Sequence, residues 1–469
     1  MFADDRKWHF GVLPFTGTGH LNPLLALSQE LKRRGHRVTF FEKPKIEERV
    51  RHAGLDFVPL HTKKFARSGP VMSGPILTRR SGTWAQISTL RFNLARVRYD
   101  IQQYLDETPS ALASARVDAL LINEIALTGP TVAQLLRLPY FLIATTVPHH
   151  FGWNARSSSG SSWLTGHRAS TSPVSLLVSW LESHLLELSA LRTRGPVRRA
   201  LDSERRKLEL GPLRNLPKEF PCLAHITQLP QCLDFEHVIE SAAIYYSGPW
   251  ISATTRQQID FPWHRIDGRP LVYATLGTTR NVQLSVFRMI AQACADLNVQ
   301  LVIALGNRVD PAMLADLPGN PLVAQFAPQL ELIKLASVVI SHAGPNTSFE
   351  ALLEAKPMIV IPLAYDQPAI AARLAHFCIA EVLPFKRLSA QKLHRALAKV
   401  LGDPTYKHAA QQMQNKLRSI DGARRAADII SVELEGYAAR QQLRLRNDVR
   451  STGKDERLAR QPGISSVAR

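Results

Sequence analysis

A strand, a glycine loop, a helix closed by glycine and a second strand can be read within the first 41 residues, and the same order begins again at residue 271. Residues 9–14 form an apolar run and the stretch to Asn22 is rich in Gly and Thr. Leu24, Leu27 and Leu31 then recur at helical spacing over 23–34, and Gly35 stops the helix before a second apolar run at 37–41. This is the opening unit of a parallel, helix-flanked sheet. Residues 117–123 and 139–145 read as later buried strands of that sheet, with 131–137 helical between them. After residue 270 the segments 271–275, 300–305, 338–341 and 358–361 read as buried strands of a second sheet. The expected fold is therefore α/β, in two halves joined by a linker. Residues 1–247 form the first domain, 248–269 the linker and 270–436 the second domain, followed by a basic tail at 437–469 with the composition of disorder.

A chain of 469 residues exceeds what one core supports, which agrees with two such halves. The net charge of +19 raises nucleic acid or an anionic membrane as partner. From Arg440 onward eight Lys/Arg face three Asp/Glu, so five of those charges sit in the tail. No zinc-finger or aromatic-basic signature accompanies them, which excludes nucleic acid and leaves a weak peripheral attraction to anionic lipid. The four cysteines, Cys222, Cys232, Cys294 and Cys378, lack paired spacing, so neither a disulfide framework nor a zinc site is expected and a reducing cytoplasm fits. The N-terminus carries no apolar core of signal-peptide length. A Leu-rich amphipathic stretch at 174–191 reads as a surface helix pair, with an apolar ligand wall as its sharper alternative.

Two constellations carry chemistry. Gly17-Thr18-Gly19-His20-Leu21-Asn22-Pro23 lies between a strand and a helix, where free N–H groups and the helix dipole can hold an anion. Its spacing fits neither the dinucleotide fingerprint nor the phosphate-binding loop. His20 faces the expected cleft, and its ordinary pKa suits a general base. The second constellation runs from Phe326, Ala327 and Gln329 through His342, Gly344, Asn346, Thr347 and Glu350 to Asp366 and Gln367. His342 to Thr347 follow a buried strand and open a helix, converging on a point suited to a diphosphate. Glu350 lies one turn further on, where a carboxylate can accept from ribose hydroxyls. Polar clusters at serial strand ends, facing a cleft, are how sugars and nucleotides are read.

The second constellation closely resembles the donor signature of the UDP-dependent glycosyltransferases of family one. The resemblance covers the chain to about residue 436, because Gly19-His20-Leu21-Asn22-Pro23 is similar to that family's acceptor-side motif. Residues 366–374 are similar to the carotenoid (zeaxanthin) glucosyltransferase branch. The resemblance implies the GT-B fold, two Rossmann-like domains with parallel sheets facing a central cleft. It further implies that Phe326 stacks on uracil, with Ala327 and Gln329 framing the base. His342, Asn346 and Thr347, with Gly277 and Thr278, would hold the diphosphate, Glu350 the ribose, and Asp366 and Gln367 the sugar hydroxyls. His20 would deprotonate the acceptor, giving inversion without a metal, since no D-x-D motif is present.

One departure matters. Where the family has an aspartate supporting the histidine, this chain reads Asn123-Glu124, and adjacent strand residues point to opposite faces. Either Glu124 takes over or His20 works with the weaker support of Asn123. Pro345 departs from the Trp frequent in plant members, and His149 and His150 read as ordinary loop residues. The expected function is transfer of a hexose, glucose first, from a UDP-sugar to a lipophilic hydroxyl compound such as a carotenoid, polyketide or phenol. An epimerase on the same architecture and a non-catalytic UDP-sugar or lipid-binding protein are the alternatives, the latter motivated by Asn123.

Overall fold

The computed structural model describes residues 6–60, 83–148, 195–235, 244–277, 284–306 and 309–458. Thr278, His149, His150 and the 174–191 stretch lie outside them. The first lobe holds seven strands: β1 His9–Leu13, β2 Arg37–Glu42, β3 Asp56–Pro59, β4 Ala119–Asn123, β5 Tyr140–Ala144, β6 Ala224–Thr227 and β7 Tyr245–Tyr246. They lie in the order β3-β2-β1-β4-β5-β6-β7 with every pairing parallel. The second lobe has β8 Leu271–Thr275, β9 Gln300–Ala304, β10 Leu322–Ala324, β11 Ala336–Ser341, β12 Met358–Val360 and β13 Ala380–Val382. Their order is β10-β9-β8-β11-β12-β13, again wholly parallel.

Every residue of β1, β4, β5, β8 and β9 is buried, as parallel strands covered on both faces by helices must be. Strand order reverses direction between β1 and β4 in one lobe and between β8 and β11 in the other. Crossovers leave these neighbours on opposite sides of the sheet, so a crevice opens at their carboxyl ends, where α/β sheets bind ligands. His20 follows β1 and Asn123 ends β4, while Gly277 follows β8 and His342 follows β11. The four expected site residues thus fall at the two crevices because of topology.

The first helix, Thr18–Arg33, starts five residues earlier than the leucine spacing indicates and carries Pro23 inside it. Proline lacks the N–H that would bond the carbonyl four residues back, here Gly19. That carbonyl accepts instead from Asn346 Nδ2 of the second lobe at 3.0 Å.

The domain and tail boundaries read from the sequence need one correction. A helix spans Gly422–Leu458, so the 437–458 part of the expected disordered tail is helical. Its start is anchored, and Ala, Arg, Gln and Leu propagate an existing helix at little cost once nucleation is behind it. The same helix returns to the first lobe. Ala426, Ala427, Ile430 and Leu434 are buried in one cluster with Trp8, Leu24 and Trp250, and Arg34 pairs with Asp428 at 2.8 Å. Among the described residues no helix is long and apolar enough to cross a membrane.

The chain passes between the lobes at Gly248 and again near Gly422, and the two passages touch. A Cβ on Gly422 would collide with the carbonyl oxygens of Gly248 and Pro249, and one on Gly248, whose φ is +98°, would lie 2.6 Å from Ile420. Gly422→Ala therefore forces backbone apart at the crossing. We expect it to destabilise the fold by about 1–3 kcal/mol, seen as a lower midpoint of thermal unfolding against wild type.

Candidate active site

The first lobe offers the carboxyl ends of β1, β4, β5 and β6 to the cleft. His20 sits in the first turn of its helix with its ring edge-on to Phe15, centroids 5.0 Å apart. Its Nδ1 lies 2.7 Å from Thr145 Oγ1, and Asn123 Nδ2 donates to the same hydroxyl at 3.1 Å. The amide of Asn123 is oriented by the Ile125 N–H, which donates to its Oδ1 at 3.2 Å. Asn123 thus supports His20 through a hydroxyl bridge. Glu124 is engaged by His225 Nε2 at 3.2 Å and by the Thr146 hydroxyl at 3.3 Å, because a neighbouring residue at a strand end faces the other way.

The second lobe presents the cluster around His342. Gly277 has φ +75°, and a Cβ there would lie 2.7 Å from the His342 ring; one on Gly344 would lie 2.5 Å from it. Both glycines are required so that the imidazole can lie between them. Its Nδ1 is buried without a hydrogen-bond partner among the described residues, and desolvation pulls its pKa down to about 4. His342 is therefore a neutral group at physiological pH. The helix Pro345–Leu353 follows, capped by Gly344 in extended conformation, and its first turn leaves backbone N–H groups outside the helical ladder.

Glu350 is 2% exposed and held from two sides. Gln329 Nε2 donates to its Oε2 at 2.5 Å, and the Arg256 guanidinium pairs with its Oε1. Gln329 Oε1 in turn accepts from the Tyr273 hydroxyl at 3.1 Å. Phe326 is 45% exposed, while Ala327 and Thr347 are buried. The Phe326 ring borders a cavity of about 840 Å³ shared with His52, Ala253, Thr254, Arg256 and Ile259. Asp366 Oδ2 is buried without a hydrogen-bond partner among the described residues. Burial, with the charge of Glu124 across the cleft, pushes its pKa up to about 7. Gln367 has a different task from its neighbour: its Oε1 accepts from the N–H of Leu363 at 2.8 Å and of Ala364 at 2.9 Å, bracing the turn that carries Asp366.

Asn346 reaches across the cleft. Besides donating to Gly19 O, it accepts at Oδ1 from Gln228 Nε2 at 3.0 Å, and Gln228 Nε2 also donates to Thr145 O at 2.5 Å. A closed circuit thus runs from His20 through Thr145, Gln228 and Asn346 back to Gly19. Sequence reasoning missed Thr145, Gln228 and Arg256. The first two stand one residue past the ends of β5 and β6, a position that marks them as cleft-facing once the strands are known. Arg256, in a linker-like stretch, carries no such signal.

Family comparisons agree with this geometry. The model of the glycosyltransferase family 28 N-terminal domain matches residues 12–126. That of the erythromycin biosynthesis protein CIII-like C-terminal domain matches residues 288–424. The NDP-glycosyltransferase YjiC of Bacillus subtilis (strain 168) is 24% identical over 92% of this chain and 98% of its own. A zeaxanthin glucosyltransferase of Pseudescherichia vulneris is 27% identical over 91% and 98%. The crystal structure of the kitacinnamycin glycosyltransferase superposes with a TM-score of 0.67 at 23% identity, covering 91% of this chain and 99% of that one. The chain is a glycosyltransferase with the GT-B fold.

In this glycosyltransferase a partly exposed histidine and the N-terminus of the helix Pro345–Leu353 face each other over the cleft, held together by Asn346. Charge developing on a departing oxygen would meet backbone N–H groups and a neutral imidazole, both fixed before the reaction. The imidazole keeps its place only while Gly277 and Gly344 lack side chains. Gly344→Ala should displace His342 and cut transfer by at least about tenfold. Steady-state assays, with circular dichroism to show that the second lobe remains folded, check this.

Proposed function

We propose that this glycosyltransferase moves a hexose, glucose first, from a UDP-sugar to the hydroxyl of a lipophilic small molecule, with inversion and without a metal ion. The observation that carries the reading is the contact of the His20 turn with the helix at Pro345, through Asn346 Nδ2 and Gly19 O. It brings the turn carrying His20, read here as the general base, against the helix terminus read as the diphosphate site. His20 Nε2 takes the acceptor's proton as the acceptor oxygen attacks the anomeric carbon. The bond from that carbon to the diphosphate oxygen breaks on the far face, and its electron pair leaves with UDP. Inversion follows from attack opposite the leaving group.

Phe326 at the cavity supplies a face for uracil, Glu350 an acceptor for ribose hydroxyls, and Asp366 an acceptor for sugar hydroxyls. Supporting glucose and a lipophilic acceptor is the likeness to a zeaxanthin glucosyltransferase over nearly the whole chain. The test is UDP-glucose with a panel of carotenoid diols, phenols and polyketide alcohols in excess EDTA, following UDP release and product mass, with dTDP-glucose as competing donor. Acceptor-dependent UDP release with a gain of one hexose supports the reading. Preference for dTDP-glucose, or loss of activity in EDTA that added magnesium restores, overturns the donor or the metal-free part. His20→Ala should lower kcat by about 10²–10⁴ and leave UDP affinity nearly unchanged.

Asp366 adds a pH dependence of known sign. An acid whose pKa is raised to about 7 is a carboxylate above that pH and a neutral carboxyl below it. Sugar hydroxyls donate better to the carboxylate, so donor affinity should weaken as pH falls from 8 to 6. Calorimetric titration should show this for UDP-glucose and not for UDP, which lacks the sugar, and Asp366→Asn should flatten the profile.

A further inference from the structure

The hydrogen bonds around His20 have a direction. The Ile125 N–H can only donate, so the atom of Asn123 that receives it is the carbonyl oxygen, and the amide NH₂ faces Thr145. Asn123 therefore donates to Thr145 Oγ1. Thr145 is fully buried, and a buried hydroxyl keeps its own proton satisfied. The acceptor within reach is His20 Nδ1, 2.7 Å away. Polarity thus runs from Ile125 to Asn123, Thr145 and His20, and every member is paired. A histidine that accepts at Nδ1 carries its single neutral-state proton on Nε2, the nitrogen a base must have free.

We propose that Asn123 and Thr145 act as positioning residues that hold His20 at rest in the Nε2–H tautomer, so that transfer draws on the minor tautomer. In that minor form the Thr145 hydroxyl rotates away, Nδ1–H donates to Oγ1, and Nε2 is open to the acceptor's proton. The kinetic consequence rests on the reading of His20 as base; the tautomer assignment does not. Replacing the amide of residue 123 by a carboxylate reverses the chain. Asp at 123 still receives the Ile125 N–H on one oxygen and takes the Thr145 hydroxyl proton on the other, so Oγ1 accepts Nδ1–H and Nε2 is bare. In serine proteases the opposite exchange, carboxylate to amide beside the histidine, imposes the wrong tautomer and costs about 10⁴ in kcat.

The experiment uses full-length protein labelled with ¹⁵N-histidine, with the ring signals of His20 assigned by difference against His20→Ala, at a pH where the ring is neutral. The expected wild-type spectrum shows a protonated Nε2 and an unprotonated Nδ1, and Asn123→Asp exchanges the two. Thr145→Ser keeps the hydroxyl and should keep the wild-type pattern, whereas Thr145→Val should lose the preference. Thermal unfolding confirms that each variant is folded. With UDP-glucose and zeaxanthin, Asn123→Asp should raise kcat by about tenfold or more with donor KM within about twofold. A wild-type spectrum already protonated at Nδ1 overturns the proposal. His20→Ala that retains transfer would instead overturn the base assignment and leave the tautomer result standing, so the two failures are distinct.

Discussion

The cleft depends on one buried ion pair. Arg373 of the helix Gln367–His376 donates through Nε and Nη2 to Asp234 of the first lobe, at 3.0 and 2.5 Å, and both side chains are 1% exposed. The Tyr246 hydroxyl takes the other oxygen of Asp234 at 2.8 Å, and the guanidinium lies over the Phe235 ring. Desolvating two charges roughly cancels the gain of pairing them, but separating them leaves an uncompensated buried charge that costs about 3–5 kcal/mol. Such a pair adds little net stability and strongly resists alternatives. The helix it pins begins at Gln367, directly after Asp366, so the lobe-to-lobe register and the position of the sugar-side carboxyl are fixed together.

From that register follows the circuit around His20. A proline in the first helix frees the Gly19 carbonyl, and only a donor on the opposite lobe at the right distance can use it. Asn346 does so and is itself oriented by Gln228, whose other bond goes to the backbone of the residue bridging His20. A helix-breaking residue inside a helix is usually a defect; here its missing bond is a port for the second lobe. Each bond is worth roughly 1 kcal/mol, too little to hold the lobes and enough to set one geometry once the ion pair and the Gly248–Gly422 crossing have brought them close.

What the sequence made legible follows the strength of the local signal. The apolar runs of β1, β4, β5, β8, β9 and β11 were readable because buried parallel strands have little polar interruption, and the ends of β1 and β11 then located His20 and His342. The shorter β3, β6, β7, β10 and β13 were not, since two to four residues carry no usable period. Thr145 and Gln228 went unseen for the related reason that their meaning lies in adjacency of β4, β5 and β6, a product of topology. Glu124 and Gln367 were placed at the right strand ends, but which way a side chain turns there is decided by neighbours distant in sequence, His225 for one and the backbone of a tight turn for the other. The helical course of 437–458 was hidden by its composition, which matches both a charged disordered tail and a helix extended from an anchored start.

Among the described residues, the charged groups at the cleft are largely neutralised or paired. His342 is neutral because burial between two glycines makes its cation costly, and the pKa of Asp366 is raised to about 7 because burial makes its carboxylate costly, with the charge of Glu124 adding to that cost. Glu350 is matched by Arg256. Among the described residues, the helix terminus at Pro345 presents oriented N–H groups, an array of dipoles that would need no reorganisation as charge moved onto a leaving oxygen. A fixed cation would bind the donor and the departing nucleotide diphosphate alike, and the product, carrying the greater charge, would be held longer. Dipoles fixed before the reaction favour the developing charge, which suits a transferase whose leaving group is a nucleoside diphosphate.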